Sequence, residues 1–185
     1  MAKTDVGMPA DELKSFADQL TEHTPKMRAF AISLCGSQTV ADDLVQEALL
    51  RAWNNRDKFE MGTNLKAWLL TILRNIYFNQ WRRQKRSPVS GGDDHLNFIG
   101  TQAEQPGHMD LLDVKRLLEE LPDVQREALL LVGVEGLSYE EAASVAGCAV
   151  GTVKSRLSRA RASLSEMLER EEVRADADTA GAAAQ

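Results

Sequence analysis

Leu137-Ser-Tyr-Glu-Glu-Ala-Ala-Ser-Val-Ala-Gly-Cys-Ala-Val-Gly-Thr-Val-Lys-Ser-Arg-Leu-Ser-Arg-Ala-Arg-Ala162 is the stretch whose reading decides the fold. Ser138-x-x-Glu141 has the reciprocal pattern of a capping box, a serine N-cap with a glutamate three residues on. The helix it starts runs to Gly147, where a tight turn needs the left-handed conformation that glycine adopts without steric cost. A second helix follows, with Val150, Val153, Leu157, Ala160 and Leu164 on one side, the spacing of a core-facing stripe. At about 100° per residue the opposite side presents Gly151, Ser155, Ser158, Arg159 and Ala162, flanked by Lys154 and Arg161. From Val150 to Ala162 this helix holds four basic residues and no acid. Helix, tight turn and basic helix make a helix-turn-helix. Its outer face of short polar residues and arginines suits base edges and phosphates in a major groove. A plain helical hairpin with a solvated face would share the cap and turn, but not the single-signed charge.

The rest of the chain runs against that charge. The 185 residues carry a formal net charge of -6 and a pI near 5.2. General electrostatic attraction to a polyanion is therefore excluded, and nucleic-acid binding must come from local patches. Residues 1–86 hold 13 basic and 10 acidic side chains, residues 87–109 three acids and no base, and residues 110–185 nine basic and 15 acidic. Two basic clusters stand out, Arg82-Arg83-Gln84-Lys85-Arg86 and Lys154 to Arg161. Hydrophobic residues at 43% fit a folded protein. The N-terminus has no apolar run and no segment is long and apolar enough for a bilayer, so neither a secretory signal nor membrane insertion is expected. Cys35 and Cys148 lie far apart with no CxxC companion, which points to a reduced, cytoplasmic protein.

Residues 87–109 are rich in Gly, Pro and polar side chains and have no periodicity. So long a structureless connection is unusual inside one compact unit, and it predicts two domains joined by a flexible linker. Both flanking segments read as helix, giving an all-α fold. In the first, Thr24-Pro25 fits an N-cap with proline at the first helical position, and Gly36 ends that helix. A second helix is expected from about Thr39 to Asn54, and a third from Thr63 or Asn64 to about Arg86. In the second segment Leu111, Val114, Leu118 and Leu121 mark a helix that stops before Pro122. Another is expected to reach about Val132, ahead of the helix-turn-helix. The assigned boundaries are 1–10 disordered, 11–86 first domain, 87–109 linker, 110–170 second domain and 171–185 disordered tail.

The third helix offers a second patch. Facing away from its Leu65, Ile72 and Ile76 stripe are Thr71, Arg74, Phe78, Trp81, Arg82 and Lys85. Rings interleaved with cations suit single-stranded nucleic acid, bases stacking on rings while cations follow phosphates. Phe78 and Trp81 could equally pack on a neighbouring helix, and the terminal basic run could simply compensate the helix dipole. Asp42-Asp43 and Gln46-Glu47 open the second helix with carboxylates, where a dipole explanation suffices. His23, His95 and His108 are scattered. No phosphate-cradling loop, nucleophile elbow or metal-ligand spacing is present, so neither an enzyme nor a cofactor is expected.

These segments together resemble the extracytoplasmic-function sigma factors of bacterial RNA polymerase. Ala41-Asp-Asp-Leu-Val-Gln-Glu-Ala-Leu-Leu-Arg-Ala-Trp53 is similar to the segment that docks on the polymerase clamp in that family. Leu65-Lys-Ala-Trp-Leu-Leu-Thr-Ile-Leu-Arg-Asn-Ile-Tyr77 resembles the helix bordering its −10 loop. Leu121-Pro-x-x-Gln-Arg-Glu127, Gly136-Leu-Ser-Tyr-Glu-Glu-Ala-Ala143 and Cys148-Ala-Val-Gly-Thr-Val-Lys-Ser-Arg-Leu-Ser-Arg-Ala-Arg161 resemble its −35-binding domain. The resemblance spans about residues 15–168. It implies a region 2-like helical bundle and a region 4-like helix-turn-helix domain. Arg28-Ala-Phe-Ala-Ile-Ser-Leu34, Phe59-x-x-Gly-Thr-Asn64 and Cys148 to Lys154 further resemble the alphaproteobacterial general-stress-response group. Ala149 stands where many relatives have proline, which should loosen the helix start slightly.

What the resemblance implies about residues is specific. Asp43, Gln46, Glu47 and Arg51 become the clamp contact. Phe59, Gly62, Thr63 and Asn64 form the loop that holds a flipped −10 base, with Asn75 beside it and Arg74, Phe78 and Trp81 along the same helix. Arg82, Arg83, Lys85 and Arg86 become phosphate contacts there. Lys154, Ser155, Ser158 and Arg159 map onto −35 readout, together with Thr152, Arg156 and Arg161. The implied partners are core RNA polymerase, promoter DNA with a GGAAC-type −35 element, and a small helical anti-sigma protein. The chain itself would be a monomer when free, or 1:1 with that inhibitor. Two other classes fit less of the chain. A stand-alone helix-turn-helix regulator leaves the Asp42–Trp53 segment and the third helix without a purpose, and a mimic that only sequesters an anti-sigma protein has no need of a basic reading helix.

Overall fold

The structure of the protein, a computed structural model, describes residues 9–86 and 111–182. The chain divides into two units, with the division near residue 100. The expected linker, residues 1–8 of the expected disordered N-terminus, and residues 183–185 lie outside the described residues. Among the described residues seven α-helices and no strand are found, in line with the all-α expectation.

The first unit is built from α1 (Ala10–Cys35), α2 (Gln38–Asn54) and α3 (Leu65–Arg86). The sequence reading places a helix start at Thr24-Pro25, but α1 runs straight through, with Pro25 in its interior. A proline there removes one ladder hydrogen bond and costs about 3 kcal/mol. One apolar stripe outweighs that cost. Phe16 and Leu20 before the proline, and Met27, Phe30, Ala31 and Leu34 after it, are all buried on the same side of the helix. Each large side chain so buried contributes about 1.5–3 kcal/mol. Gly36 ends α1 in the left-handed conformation (φ 74°), its N–H donating to the Ile32 carbonyl at 2.8 Å.

Only Gly36 and Ser37 separate α1 from α2. The Ser37 hydroxyl caps α2 by accepting from the Val40 N–H at 3.4 Å. Ala41, Leu44, Val45, Ala48 and Ala52 form its buried side, three alanines among them letting the neighbouring backbones approach closely. Asn64 caps α3, its Oδ1 accepting from the Ala67 N–H at 3.1 Å. The α3 core face is Leu65, Leu69, Leu70, Leu73, Ile76, Tyr77 and Phe78. It is wider than the expected stripe, and Ile72 lies only at its edge. Across the outside, Arg28 on α1 grips Asp42 on α2 with two hydrogen bonds of 2.5 and 3.1 Å. The guanidinium holds the Asp42 carboxyl below the ordinary aspartate value, and the carboxylate raises the Arg28 pKa in turn.

The second unit comprises α4 (Leu111–Glu120), α5 (Asp123–Leu129), α6 (Tyr139–Ala146) and α7 (Val150–Ala182). Pro122 cannot continue α4, and Arg126 of α5 reaches back to satisfy its end. The Arg126 guanidinium donates to the Glu119 and Leu121 carbonyls, each at 3.1 Å. Past Leu129 the helix widens into a π turn over Leu130–Val134, in place of the ordinary helix expected to Val132. Glu135 and Leu137 close it by donating to the Leu130 and Leu131 carbonyls. The tail from residue 171, expected to be disordered, instead continues α7 as far as Ala182. Its Glu, Arg and Ala residues are good helix formers, and no glycine or proline interrupts them before Gly181.

Two outcomes follow. Gly147→Ala, forced into the left-handed region that Gly147 occupies at φ 62°, should destabilise the second unit by about 1–2 kcal/mol in a denaturant titration followed by circular dichroism. Because the Asp42 pKa is lowered by folding, its ion pair stabilises fully above the unfolded aspartate value, about 3.9, and the benefit fades as pH falls through the lower folded value. The three tryptophans all lie in the first unit, so their fluorescence reports its melting. Asp42→Asn should melt below the wild type by a constant margin from pH 5 to 8, and the two curves should converge below about pH 4. A margin that does not shrink in acid would remove the charge from the explanation.

Candidate nucleic-acid interfaces

The helix-turn-helix forms as its residues dictate. The Ser138 hydroxyl accepts from the Glu141 N–H at 3.1 Å, and the Glu141 carboxylate accepts from the Ser138 N–H at 2.8 Å. Gly147 ends α6, and the Ala149 carbonyl takes the first bonds of α7, from Thr152 and Val153. Val153, Leu157 and Ala160 are buried against the unit. Gly151, Lys154, Ser155, Ser158, Arg159, Arg161 and Ala162 are exposed on the outside, and Thr152 is half-buried. The outer face is therefore short and cationic, the shape a helix needs to lie against base edges.

Arg156 departs from the expectation that grouped it with the DNA readers. Its guanidinium turns back into the unit, with NH1 3.9 Å from Glu127 Oε2 and 3.8 Å from the Cys148 sulfur. The Glu127 side chain is fully buried. Taking a carboxylate out of water is costly unless a cation and hydrogen bonds accompany it. The half-buried Arg156 answers part of that cost at long range, and the pair links α5 to α7. Sequence reasoning placed Gln125-Arg126-Glu127 in a motif without a role. The signal for one was present, since adjacent charges inside an otherwise apolar helix need buried partners.

In the first unit, Phe59 to Asn64 connect a short 3-10 turn (Arg56–Lys58) to α3. The Thr63 N–H and hydroxyl both donate to the Glu60 carbonyl, at 3.1 and 2.7 Å, closing a turn with Gly62 at φ 91°. A positive φ at the third turn position requires glycine or a rare substitute. Glu60, Met61, Gly62, Thr63 and Asn64 are exposed. Phe59 is not. Its ring is buried, 5.3 Å from Trp68 and 6.0 Å from Phe16 between centroids. It anchors the loop from beneath, and only the residues beyond it are presented.

Along α3, Arg82 and Arg83 are exposed, and Trp81 is partly so. Arg74 lies over the ring of Phe78 at 4.6 Å, next to exposed Asn75, which accepts from the Arg74 guanidinium at 3.2 Å. Phe78 itself is buried and packs edge-on against Tyr77 at 5.1 Å, the packing alternative left open above. The side chains of Lys85 and Arg86 lie outside the described residues. On α2, Asp43, Gln46, Glu47 and Arg51 share one outward face at helical spacing, with Glu47 and Arg51 paired one turn apart. Leu50 stands among them at 65% exposure, and Trp53 follows at 37%.

No helix among the described residues is long and apolar enough to cross a membrane, and no group of His, Cys, Asp and Glu among them could hold a metal ion.

Comparison with known proteins identifies the two units. Residues 20–87 match the family model for sigma-70 region 2, and residues 111–164 that for sigma-70 region 4. The chain is 47% identical over 154 residues to the ECF RNA polymerase sigma factor EcfG of Rhodopseudomonas palustris, covering 83% of this chain and 85% of that one. It is also similar to the solved sigma factor RpoE of Bartonella quintana, in complex with the anti-sigma factor NepR, at 48% identity and a TM-score of 0.73 over 84% of this chain and 98% of the other. CnrH, solved with the cytosolic domain of CnrY, is 28% identical with a TM-score of 0.64, over 85% of this chain and 89% of that one. With a region 2 bundle, a region 4 helix-turn-helix and 47% identity to EcfG over 154 residues, the chain belongs to the ECF sigma factors of RNA polymerase.

Proposed function

We propose that this sigma factor divides promoter recognition between its two units, as residues 11–86 and 110–170. The outer face of α2, through Asp43, Gln46, Glu47 and Arg51 with Leu50 between them, docks on the core polymerase. The loop of Gly62, Thr63 and Asn64, held up by the buried Phe59, receives an unpaired base of the −10 element, with Asn75 beside it. Extruding a base costs a few kcal/mol in a duplex and least in DNA already melted, so the loop acts while the strands separate. Trp81, Arg74, Arg82, Arg83, Lys85 and Arg86 line the path of that strand. Lys154, Ser155, Ser158 and Arg159 read a GGAAC-type −35 element, with Thr152 and Arg161 at the flanks and Arg156 positioning the helix. The observation that carries this reading is the exposed cationic outer face of α7 opposite its buried Val153, Leu157 and Ala160.

Regulation by a small helical anti-sigma protein is supported by the complexes in which two similar sigma factors were solved, with NepR and with CnrY. The likeness to EcfG supports a place in the general stress response and in the cytoplasm. An initiation subunit of this kind performs no chemistry of its own and needs no cofactor. The free chain acts as a monomer, and 1:1 when held by its inhibitor.

Transcription from a GGAAC-type promoter by purified core polymerase should depend on this chain, and a chain that leaves active core without a promoter-specific transcript would end the proposal. Arg159→Ala should cost about 1–3 kcal/mol at one −35 base position and relax the preference there. Arg156→Met should lower stability by about 1–3 kcal/mol, since the buried Glu127 loses a partner, and weaken −35 binding across all base positions instead of relaxing the preference at one. A changed base preference in Arg156→Met with unchanged stability would return Arg156 to the readers.

A further inference from the structure

Lys154 is exposed on the outer face of α7, and its Nζ lies 5.2 Å from the centroid of the Tyr139 ring. Tyr139 is the first residue of α6, directly after the capping serine. We propose that Tyr139 is a positioning residue for promoter readout, its ring presenting the Lys154 ammonium to the −35 DNA without neutralising it. The proposal rests on the reading above that Lys154 contacts that element.

Three observations lead there. Lysine ends a flexible four-carbon stem, and its rotamer freedom must be given up when it meets DNA. The outward neighbours of Lys154 on its own helix are Gly151, Ser155 and Ser158, too short to brace it. The ring on α6 does so from outside the helix. Second, the kind of brace matters. A carboxylate would hold the ammonium but cancel the charge that phosphates and base acceptors require. An aromatic face attracts through its quadrupole and leaves the full charge available. The same helix shows the contrast, for Arg156 faces the Glu127 carboxylate and is drawn inward. Third, the ring is itself held. Tyr139 is half-buried, and the capping box on either side of it, Ser138 with Glu141, fixes the first turn of α6. The bracing therefore comes from the support helix, so the lysine's direction is set relative to the whole unit.

The test is binding of the holoenzyme, assembled with the full chain, to promoter duplexes carrying single-base changes in the −35 element, for Lys154→Met, Tyr139→Leu, their combination, and Tyr139→Phe. Lys154→Met should weaken binding and reduce the salt slope by about 1. Tyr139→Leu should reproduce part of that loss, about two- to fivefold, at the same base positions, and add nothing once Lys154 is Met. Tyr139→Phe, which keeps the ring, should bind as the wild type does. Losses that multiply in the double variant, or a phenylalanine variant as weak as the leucine one, would overturn the positioning role while leaving Lys154 a reader. No effect of Lys154→Met would overturn the reading itself, and the proposal with it. Should Tyr139→Leu fold poorly, the free wild-type protein still decides. The Lys154 side-chain methylene protons nearest the ammonium should resonate upfield from the ring current, and remain so in Tyr139→Phe. An unshifted resonance in the wild type would refute the contact.

Discussion

A fully buried carboxylate facing a guanidinium, Glu127 of α5 and Arg156 of α7, is the contact on which the reading surface depends. A helix that reads DNA has two obligations at once, one side to its own core and the other to the groove. The apolar stripe of Val153, Leu157 and Ala160 satisfies the first, but apolar contacts are non-directional and tolerate rotation. A charge that cannot be left in a low-dielectric interior without its partner tolerates much less. The half-buried Arg156, turned toward Glu127, thus restrains the rotation of the helix that carries Lys154, Ser155, Ser158 and Arg159. Next to it Arg126 closes the exposed end of α4 through two backbone carbonyls, so two consecutive charged residues of α5 each settle the position of another helix.

The first unit solves a similar problem with rings instead of charges. On the proposed reading its loop must be shaped before DNA arrives, since an extruded base gains little from a pocket that has first to be ordered. Phe59 lies in a cluster with Phe16 and Trp68, and Trp53 sits 6.4 Å from Phe16. From this anchor the chain needs only the Glu60–Thr63 turn and the Asn64 cap to enter α3. The same cluster explains why α1 tolerates Pro25. The helix must reach back far enough to put Phe16 beneath the loop, and a start at Thr24 would leave Phe59 and Trp68 without that ring.

Local chemistry was legible in the sequence, and partner choice was not. The capping box, the Gly147 turn and the Val153, Leu157 and Ala160 part of the α7 stripe all follow from spacing within a few residues, and each is realised. The α1 start was misread because Thr24-Pro25 is a genuine local signal that tertiary burial overrides. Phe59, Phe78 and Arg156 were harder for a different reason. A ring or a cation on a helix can face solvent or a neighbour, and the sequence does not say which neighbour exists. Only the packed structure identifies Trp68 beside Phe59 and Glu127 beside Arg156. The 171–182 segment shows the converse, since an acidic, alanine-rich composition suits a helix as well as an open tail.

The acidity of the chain fits a division of labour. A protein of net charge -6 gains little from bulk attraction to DNA, so each cationic patch matters by position. The central claim is that two separate surfaces of one chain touch two separate promoter elements at once. Photo-crosslinking from position 61 and, separately, from position 158 of the chain within holoenzyme on one melted promoter tests this directly. Position 158 should crosslink to the −35 duplex and position 61 to the single-stranded −10 region. Crosslinks from both positions to the same element would contradict a bipartite reader.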